Sequence, residues 1–261
     1  MSIQERLRSI GGRVAIVTGA GGGMGLATAR LFAREGAKVV LTDIDQDLCD
    51  RRAAEVKGEG AAGDILPLAL NVTEADAIQR VVEQSARHFG GIDILVNNAG
   101  VVGWAKVDDA EDYEKQWARC LEVNLTPQQR IIRAALPYLR QSDAARIVNI
   151  ASTEGLGATP NDSPYVASKH AVIGLTRALA VDLGREGITV NCICPGAIHT
   201  GMTEEITEAD KETFARRRVA LRRYGQPEEV AHMTLSLVLP ASSYVTGAVL
   251  PVDGGLTIRN A

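Results

Sequence analysis

The sequence predicts an α/β protein with a doubly wound parallel sheet and helices on both faces. Short apolar runs rich in β-branched residues alternate with helical patterns along the 261 residues, as in parallel sheets whose crossovers are helices. The first run, Val14–Val17, leads through a glycine-rich turn into a helix and then into a second run, Lys38–Thr42. This βαβ unit is the part of the chain around which we expect the rest to be organised.

The turn of this first unit is typical of a nucleotide-binding site. Thr18 closes the strand, and helical spacing then continues until Gly36. Glycines at such a junction let a ligand approach the main chain, and the N-terminus of the following helix favours a phosphate. The spacing agrees with TGxxxGxG and with TGxxGxxG, so it does not discriminate between them. The glycines are Gly19, Gly21, Gly22, Gly23 and Gly25.

Asp43 follows the second strand and predicts the cofactor. A carboxylate at this point accepts hydrogen bonds from the hydroxyls of an adenosine ribose and repels a 2′-phosphate. Gly22 offers no basic side chain that would hold such a phosphate. The sequence therefore predicts a Rossmann-type unit that prefers NAD to NADP.

The remaining elements continue the alternation, with right-handed crossovers expected. Pro127 predicts a break or kink in the long helical pattern over 109–139. We expect strands at 65–70, 92–96, 146–150, 188–193 and 245–252, helices at about 46–57, 74–89, 109–139, from Pro164, and at 227–239, and a charged helical insertion at 203–223.

Two places carry the candidate chemistry. Ser152 follows the strand Arg146–Ile150, at the carboxyl end where ligands bind in such sheets. Tyr165 and Lys169 are four residues apart in the helix that begins at Pro164, so they share one face. A nearby ammonium stabilises a phenolate, which predicts a tyrosine acting as a base near neutral pH.

Composition argues against several other classes. The net charge of −4 gives no reason to expect nucleic acid or an anionic membrane as a partner. The first residues lack the apolar region of a signal peptide, and no apolar run is long enough to span a bilayer, so we expect a cytoplasmic protein. The cysteines have neither CxxC nor metal-ligand spacing, which predicts no metal site; they are Cys49, Cys120, Cys192 and Cys194.

Taken together, these motifs resemble the short-chain dehydrogenase/reductase family, in its shorter single-domain branch. The resemblance runs from the glycine turn to the C-terminal Asp253-Gly254-Gly255. It implies one domain over 1–261, with seven parallel strands in the order 3-2-1-4-5-6-7, an N-terminal extension over 1–11 and a substrate loop or lid at about 199–223. The matching motifs are TGAGGGMG from Thr18, Asn97-Asn98-Ala99-Gly100, Asn124, Ser152, YVASK from Tyr165 and PGAIHT from Pro195.

The resemblance also implies roles for individual residues. Tyr165 would be the general base, Lys169 would bind the nicotinamide ribose and depress the tyrosine pKa, Ser152 would hold the substrate oxygen, and Asn124 would anchor a water. Asn71 departs from the aspartate usual in the family, although it still offers an acceptor for adenine. The implied NAD-binding residues are Gly19, Gly22, Gly23, Met24, Gly25, Asp43, Ile44, Asn71, Val72, Asn98, Ala99, Gly100, Tyr165, Lys169, Pro195, Gly196, Ile198 and Thr200.

The expected function is NAD-dependent hydride transfer between a secondary alcohol and its ketone in a homo-oligomer, a tetramer or dimer by resemblance. The alternative is a reductase of 3-oxoacyl thioesters on CoA or a carrier protein, docking on Arg216–Arg218. A non-catalytic NAD sensor and a serine hydrolase are weaker, the latter because Ser152 lacks GxSxG. A compact hydrophobic alcohol, alicyclic, aromatic or steroid-like, is expected from the predicted pocket of Val102, Trp104, Ser152, Glu154, Leu156, His199 and Met202.

Overall fold

The centre of the molecule is a seven-stranded sheet. The computed structural model describes residues 7–260, and every strand pair in this part of the chain is parallel. The strand order, β3-β2-β1-β4-β5-β6-β7, confirms the predicted sheet. The strands are β1 (Val14–Thr18), β2 (Lys38–Asp43), β3 (Ile65–Ala69), β4 (Ile94–Asn97), β5 (Arg146–Ile150), β6 (Thr189–Pro195) and β7 (Val249–Val252).

Helices cover both faces of this sheet, as predicted. Along β1, Ala15 and Val17 belong to one apolar core, whereas Ile16 belongs to the other, because successive side chains of a strand point to opposite faces. Helices α1, α2 and α8 supply the first core, and α3, α5 and α6 the second. The helices are α1 (Gly23–Arg34), α2 (Gln46–Gly58), α3 (Ala75–Phe89), α4 (Ala110–Cys120), α5 (Thr126–Leu139), α6 (Ser163–Leu183), α7 (Glu208–Arg218) and α8 (Pro227–Val238).

Two strands begin two or more residues later than predicted. β4 begins at Ile94 because Asp93 turns its carboxylate to the backbone of Val14 and to Ser142 at the edge of the sheet. β7 begins only at Val249, since the backbone N–H of Val245 bonds to Ser242 and Gly247 has a φ of +72°. Apolar β-branched residues alone do not distinguish a turn beside the sheet from the strand that follows it.

The long helical pattern is interrupted by a π turn, Leu121–Leu125, between α4 and α5. Pro127 lacks an N–H and would crowd the carbonyl of Val123 in an uninterrupted α-helix, and an extra residue in the turn relieves that conflict. The π turn comes just before the proline, and Asn124 lies inside it, completely buried.

Residues 1–6 of the predicted N-terminal extension lie outside the described range, but Ile10 is buried in the core. The charged insertion contains helix α7, whereas its role as a lid stays a prediction. Among residues 7–260, no helix combines the length and the apolar character that a membrane crossing needs.

Candidate active site

The glycine turn between β1 and α1 is tightly packed on one side and open on the other. Gly19 and Gly23 have positive φ values, 63° and 51°, a region that disfavours side chains. A Cβ on Gly25 would overlap the carbonyl of Gly19, so that position admits only glycine. A Cβ on Gly22 would instead meet nothing within 4 Å. The turn therefore presents bare backbone and the N-terminus of α1 to open space, the arrangement that binds a pyrophosphate.

Asp43 lies at the end of β2, beside this turn. One carboxylate oxygen accepts a hydrogen bond from the backbone N–H of Gly21 (2.9 Å), and the other accepts one from Ile44 (2.8 Å). These two bonds fix the carboxylate, and each oxygen keeps a further lone pair for a ligand. Arg52 on α2 donates to the carbonyl of Gly21 and to both oxygens of Glu55.

A cleft of about 420 Å³ extends from Asp43 across the glycine turn. The residues present fit a dinucleotide, because a fixed carboxylate, bare glycine backbone and small residues follow one another along the cleft. Twelve of the predicted cofactor residues line it: Gly19, Gly22, Gly23, Met24, Asp43, Ile44, Asn71, Val72, Asn98, Ala99, Gly100 and Thr200. Sequence reasoning missed Leu70, Thr73, Val101, Val123 and Gly201, and placed Met202 only in the substrate pocket.

Two asparagines in this cleft use their amides to hold backbone. The Asn98 amide donates to the carbonyls of Thr18 and Gly19, at 2.9 Å each. The Asn71 oxygen accepts from the backbone N–H and the hydroxyl of Thr73. Both lone pairs of the Asn71 oxygen are thus occupied, which leaves it poorly suited to accept from adenine.

The Tyr165 and Ser152 hydroxyls meet where β5 ends against α6. Ser152 also accepts a hydrogen bond from the backbone N–H of Glu154 (3.1 Å). Burial raises the pKa of Tyr165 well above its usual value, and the hydrogen bond with Ser152 opposes that change only in part. Without a ligand, this burial favours the neutral phenol of Tyr165, and the depression of its pKa by Lys169 stays a prediction.

Lys169 lies one helical turn further along α6 and is only 4% exposed. Its Nζ donates to the carbonyl of Ile150 (3.0 Å) and lies 5.4 Å from the centroid of the Tyr165 ring. Burial lowers the pKa of Lys169 to about 8, because removing an ammonium from water disfavours its charged form.

Asn124 holds the loop beside Lys169. Its oxygen accepts from the backbone N–H of Val101 (2.8 Å), and its amide donates to the Val101 carbonyl and to Ser168 (3.0 Å each). A Cβ on Gly100 would lie 3.2 Å from the Asn124 oxygen and 3.6 Å from Lys169 Nζ, so both groups border the same point. The π turn thus places a buried amide next to the lysine.

Comparison with known proteins identifies the family. The model described as Enoyl-(Acyl carrier protein) reductase matches residues 19–257. A 3-oxoacyl-[acyl-carrier-protein] reductase of Thermotoga maritima is 42% identical, over 95% of this chain and 98% of its own. A meso-2,3-butanediol dehydrogenase of Serratia marcescens is 37% identical, over 94% of each chain. The chain belongs to the short-chain dehydrogenase/reductase family.

A solved structure of this family agrees closely in fold. A short-chain type dehydrogenase/reductase from Mycobacterium marinum has a TM-score of 0.90 and 33% identity, covering 99% of this chain and all of its own. The protein is therefore a short-chain oxidoreductase with a fold that takes a nicotinamide cofactor, NAD or NADP.

Six of the predicted cofactor residues lie outside the cleft lining: Gly25, Tyr165, Lys169 and three residues predicted to surround the nicotinamide. Pro195 is the last residue of β6, a Cβ on Gly196 would press against Asp253, and Ile198 is buried in the core. Only Thr200, from the same motif of this oxidoreductase, reaches the cleft, with its methyl group against Gly23. Pro195, Gly196 and Ile198 shape the backbone that carries Thr200.

The predicted substrate residues divide into two groups. Trp104, Leu156 and Met202 expose between 42% and 55% of their surface, and Val102 is half-buried. His199 packs against the ring of Tyr224, at 5.2 Å between centroids, in the cluster under α7. Glu154 accepts from the hydroxyl of Thr159 and otherwise points inward. The apolar members of the set are thus the accessible ones.

Proposed function

We propose that this protein is an NAD-dependent dehydrogenase that interconverts a secondary alcohol and its ketone. The observation that carries the proposal is the meeting of Ser152, Tyr165 and Lys169 at the carboxyl end of β5, next to a cleft with a fixed Asp43 at its far end. A proton-transfer group, an oxygen-holding hydroxyl and a dinucleotide cleft are the parts that such a reaction needs.

The preference for NAD rests on charge at the ribose end. Asp43 keeps a negative charge where a 2′-phosphate would lie, and its backbone hydrogen bonds prevent it from turning away. Arg52 is the basic group on α2 that touches the glycine turn, but Glu55 engages it at 3.0 and 2.8 Å. A phosphate at this site would have to break that ion pair as well as approach a carboxylate.

The proton chemistry follows from the burial of Tyr165. A phenol with a raised pKa is protonated at neutral pH, which is the form that donates to a ketone oxygen held by Ser152. When bound, a nicotinamide would supply the hydride chemistry, and the positive charge of its oxidised form would favour phenolate. Lys169 adds an ammonium beside the ring, and its hydrogen bond to Ile150 keeps it in place.

The substrate is proposed to be a compact hydrophobic alcohol. Trp104, Leu156 and Met202 are the large apolar side chains that remain accessible among the predicted pocket residues. Burying them against a ligand contributes about 25 cal/mol per Å² of apolar surface, so an alicyclic, aromatic or steroid-like alcohol gains most from this surface.

A 3-oxoacyl-thioester reductase is the second candidate. It is favoured by the 42% identity to the Thermotoga maritima protein that is named as a 3-oxoacyl-[acyl-carrier-protein] reductase. The proposed docking arginines on α7 give weaker support, since Arg216 already pairs with Glu212 at 3.6 Å. An exposed helix with several charges also has this composition without docking anything.

The test is formation or loss of reduced cofactor, followed by absorbance. The purified protein is given NAD or NADP with a panel of secondary alcohols, and in the reverse direction ketones and a 3-oxoacyl-CoA, with Tyr165→Phe as the matched variant. We expect turnover of apolar alcohols with NAD that the phenylalanine variant loses. Turnover with NADP alone would overturn the Asp43 argument, and turnover of thioesters alone would establish the second candidate.

A further inference from the structure

A loop that is closed at its base borders the cofactor cleft. We call residues 197–225 the α7 loop. The backbone N–H of Gly225 donates to the carbonyl of Ala197 (2.9 Å), and that of His199 donates to the carbonyl of Gly225 (3.0 Å), so the two ends of the loop are joined. Near its start, Thr200 and Met202 line the cleft. The position of the rest of the loop, which contains α7, depends on other contacts.

Helix α7 has little attachment to the protein through its own side chains. Among its eleven residues, Lys211 and Ala215 are the buried ones. Ala215 forms a small apolar cluster with Val219 and Tyr224 of the same loop, and Leu256 packs against this cluster from outside the loop. A helix of this length is marginal in water by itself, so the contacts at its end have a large share in holding it.

The C-terminal segment supplies contacts at that end. Nη1 of Arg259 donates to the carbonyls of Arg216 and Val219, at 2.9 Å each. The last carbonyls of a helix have no partner within it, and a cation beside them also interacts favourably with the helix dipole. The backbone N–H of Leu221 donates to the carbonyl of Gly254 (3.0 Å). The chain that leaves α7 is thus held by the same segment.

A tight turn fixes the segment that carries Arg259. The carboxylate of Asp253 accepts from the backbone N–H of Gly255 (2.9 Å). A Cβ on Gly255 would lie 2.7 Å from the Cβ of Ala220, so the turn and the loop are in close contact. Arg259 therefore reaches α7 from a fixed point next to β7.

Hydrogen-bonded turns connect the other end of α7 to the cleft. The backbone N–H of Thr203 donates to the carbonyl of Thr200 (2.9 Å), and that of Ile206 donates to the carbonyl of Thr203 (3.2 Å). Thr207 then caps α7 by accepting from the backbone N–H of Asp210 (3.2 Å). A displacement of the helix is therefore transmitted to the residues around Met202.

We propose that Arg259 is a positioning residue for the substrate, because it holds the C-terminal end of α7 and, through α7, keeps Met202 at the cleft. The effect on substrate rests on the proposed dehydrogenase function, whereas the attachment of α7 does not. When Arg259 is absent, the helix leaves its position more often, and the apolar surface of Met202 is available to a substrate for less of the time.

The first experiment tests the attachment without cofactor or substrate. Chymotrypsin cleaves after aromatic residues, and cleavage at Phe214, inside α7, requires the helix to open. We expect Arg259→Ala to raise the rate at Phe214 on the order of threefold to tenfold, and Arg259→Lys, which keeps the charge but not the planar fork, to raise it less. Arg185→Ala, an exposed arginine between α6 and β6, should keep the wild-type rate. Equal rates for Arg259→Ala and wild type overturn the attachment.

Amide hydrogen exchange distinguishes this release from a general loss of stability. In Arg259→Ala, the amides of α7 should exchange faster, whereas those of α8, whose Val230 and Val238 are buried in the core, should keep their wild-type rates. Equally faster exchange in both helices would mean that Arg259 stabilises the whole fold, and it would overturn the proposal.

Kinetics test the consequence for the substrate. For an alcohol that the wild type oxidises, Arg259→Ala should raise KM severalfold and leave kcat and the Kd for NAD near their wild-type values, because the residues proposed for proton transfer and for the ribose lie on other elements. Arg259→Lys should recover part of the change. An unchanged KM overturns the positioning role. A wild type that oxidises no alcohol, with α7 released in Arg259→Ala as expected, refutes the proposed function and supports the attachment.

Discussion

At the scale of single residues, the proposed site depends on how far each ionisable group is removed from water. Asp162 is a buried acid and Tyr165 is a half-buried one, and burial raises the pKa of each. Lys169 is a buried base, and burial lowers its pKa to about 8. All three changes favour the neutral form, so the site without ligand carries less charge than its sequence suggests, and a ligand's charge has a large effect on it.

Asp162 leads to a prediction about stability and pH. Its pKa in the folded protein, about 7, is above the usual value of an unfolded carboxyl, so the folded state binds the proton more tightly. The stability that this proton contributes is complete below the unfolded pKa and is lost as the pH rises through the folded one. Relative to wild type, Asp162→Asn should therefore gain stability as the pH rises from about 4 to about 7, by ~1.4 kcal/mol for each pH unit. Urea unfolding of both proteins across this range checks it, and parallel stability curves would contradict it.

Asp43 leads to a prediction about cofactor affinity. Asp43→Asn keeps the shape of the side chain but removes the negative charge that we propose accepts from a ribose. A hydrogen bond with one charged partner is worth roughly 1.5–3 kcal/mol. We expect the Kd for NAD to rise at least about tenfold, while the Kd for NADP falls or stays constant. Fluorescence titration of both dinucleotides measures the two constants. An unchanged Kd for NAD would mean that Asp43 does not contact the ribose.

At the scale of secondary-structure elements, the glycine turn offers a matched pair of substitutions. Gly25→Ala places a Cβ against the Gly19 carbonyl and the Asn98 amide, whereas Gly22→Ala meets no protein atom within 4 Å. Gly22 also has extended backbone, with a φ of −167°, which any residue adopts. We expect Gly25→Ala to lower the melting temperature and Gly22→Ala to keep it but to raise the Kd for NAD severalfold. Equal melting temperatures for the two variants would be inconsistent with this packing.

The π turn leads to a prediction about Asn124. Asn124→Ala leaves the backbone N–H and carbonyl of Val101 without their partners, whereas the Ser168 hydroxyl keeps its bond to the Tyr165 carbonyl. Each buried polar group left unpaired costs about 1–3 kcal/mol. We expect a loss of at least about 2 kcal/mol in unfolding free energy, together with lower kcat because the loop beside Lys169 is released. Gln79→Ala, on the exposed face of α3, is the control. A loss no larger than that of the control would exclude this role.

At the scale of the whole molecule, the sequence predicted what depends on local pattern and on recognisable motifs. Buried runs such as Val14–Val17 locate strands, and the resemblance supplied the strand order, which the structure confirms. Asp162 could not be found in this way, because neither its burial nor the missing capping hydrogen bond follows from a local sequence pattern. The same applies to Leu70 and Val123, apolar residues that become cleft lining only when their elements pack.

The edge of the sheet leads to the last prediction, about assembly. β7 is an edge strand and is only half-buried, although it reads Val-Leu-Pro-Val, whereas its neighbour β6 is buried throughout. Val181, near the end of α6, and Tyr244 are 81% and 101% exposed. Both lie beside β7, because a Cβ on Gly247, just before the strand, would contact the side chain of Ala180 in α6. An apolar edge of this kind is a surface for another chain, and we expect a second copy to cover it in a dimer or tetramer.

Sedimentation velocity should show that assembly for wild type and a smaller species for Val181→Glu with an unchanged circular dichroism spectrum. A monomeric wild-type protein would refute the prediction, and an intact assembly in the variant would place the interface elsewhere.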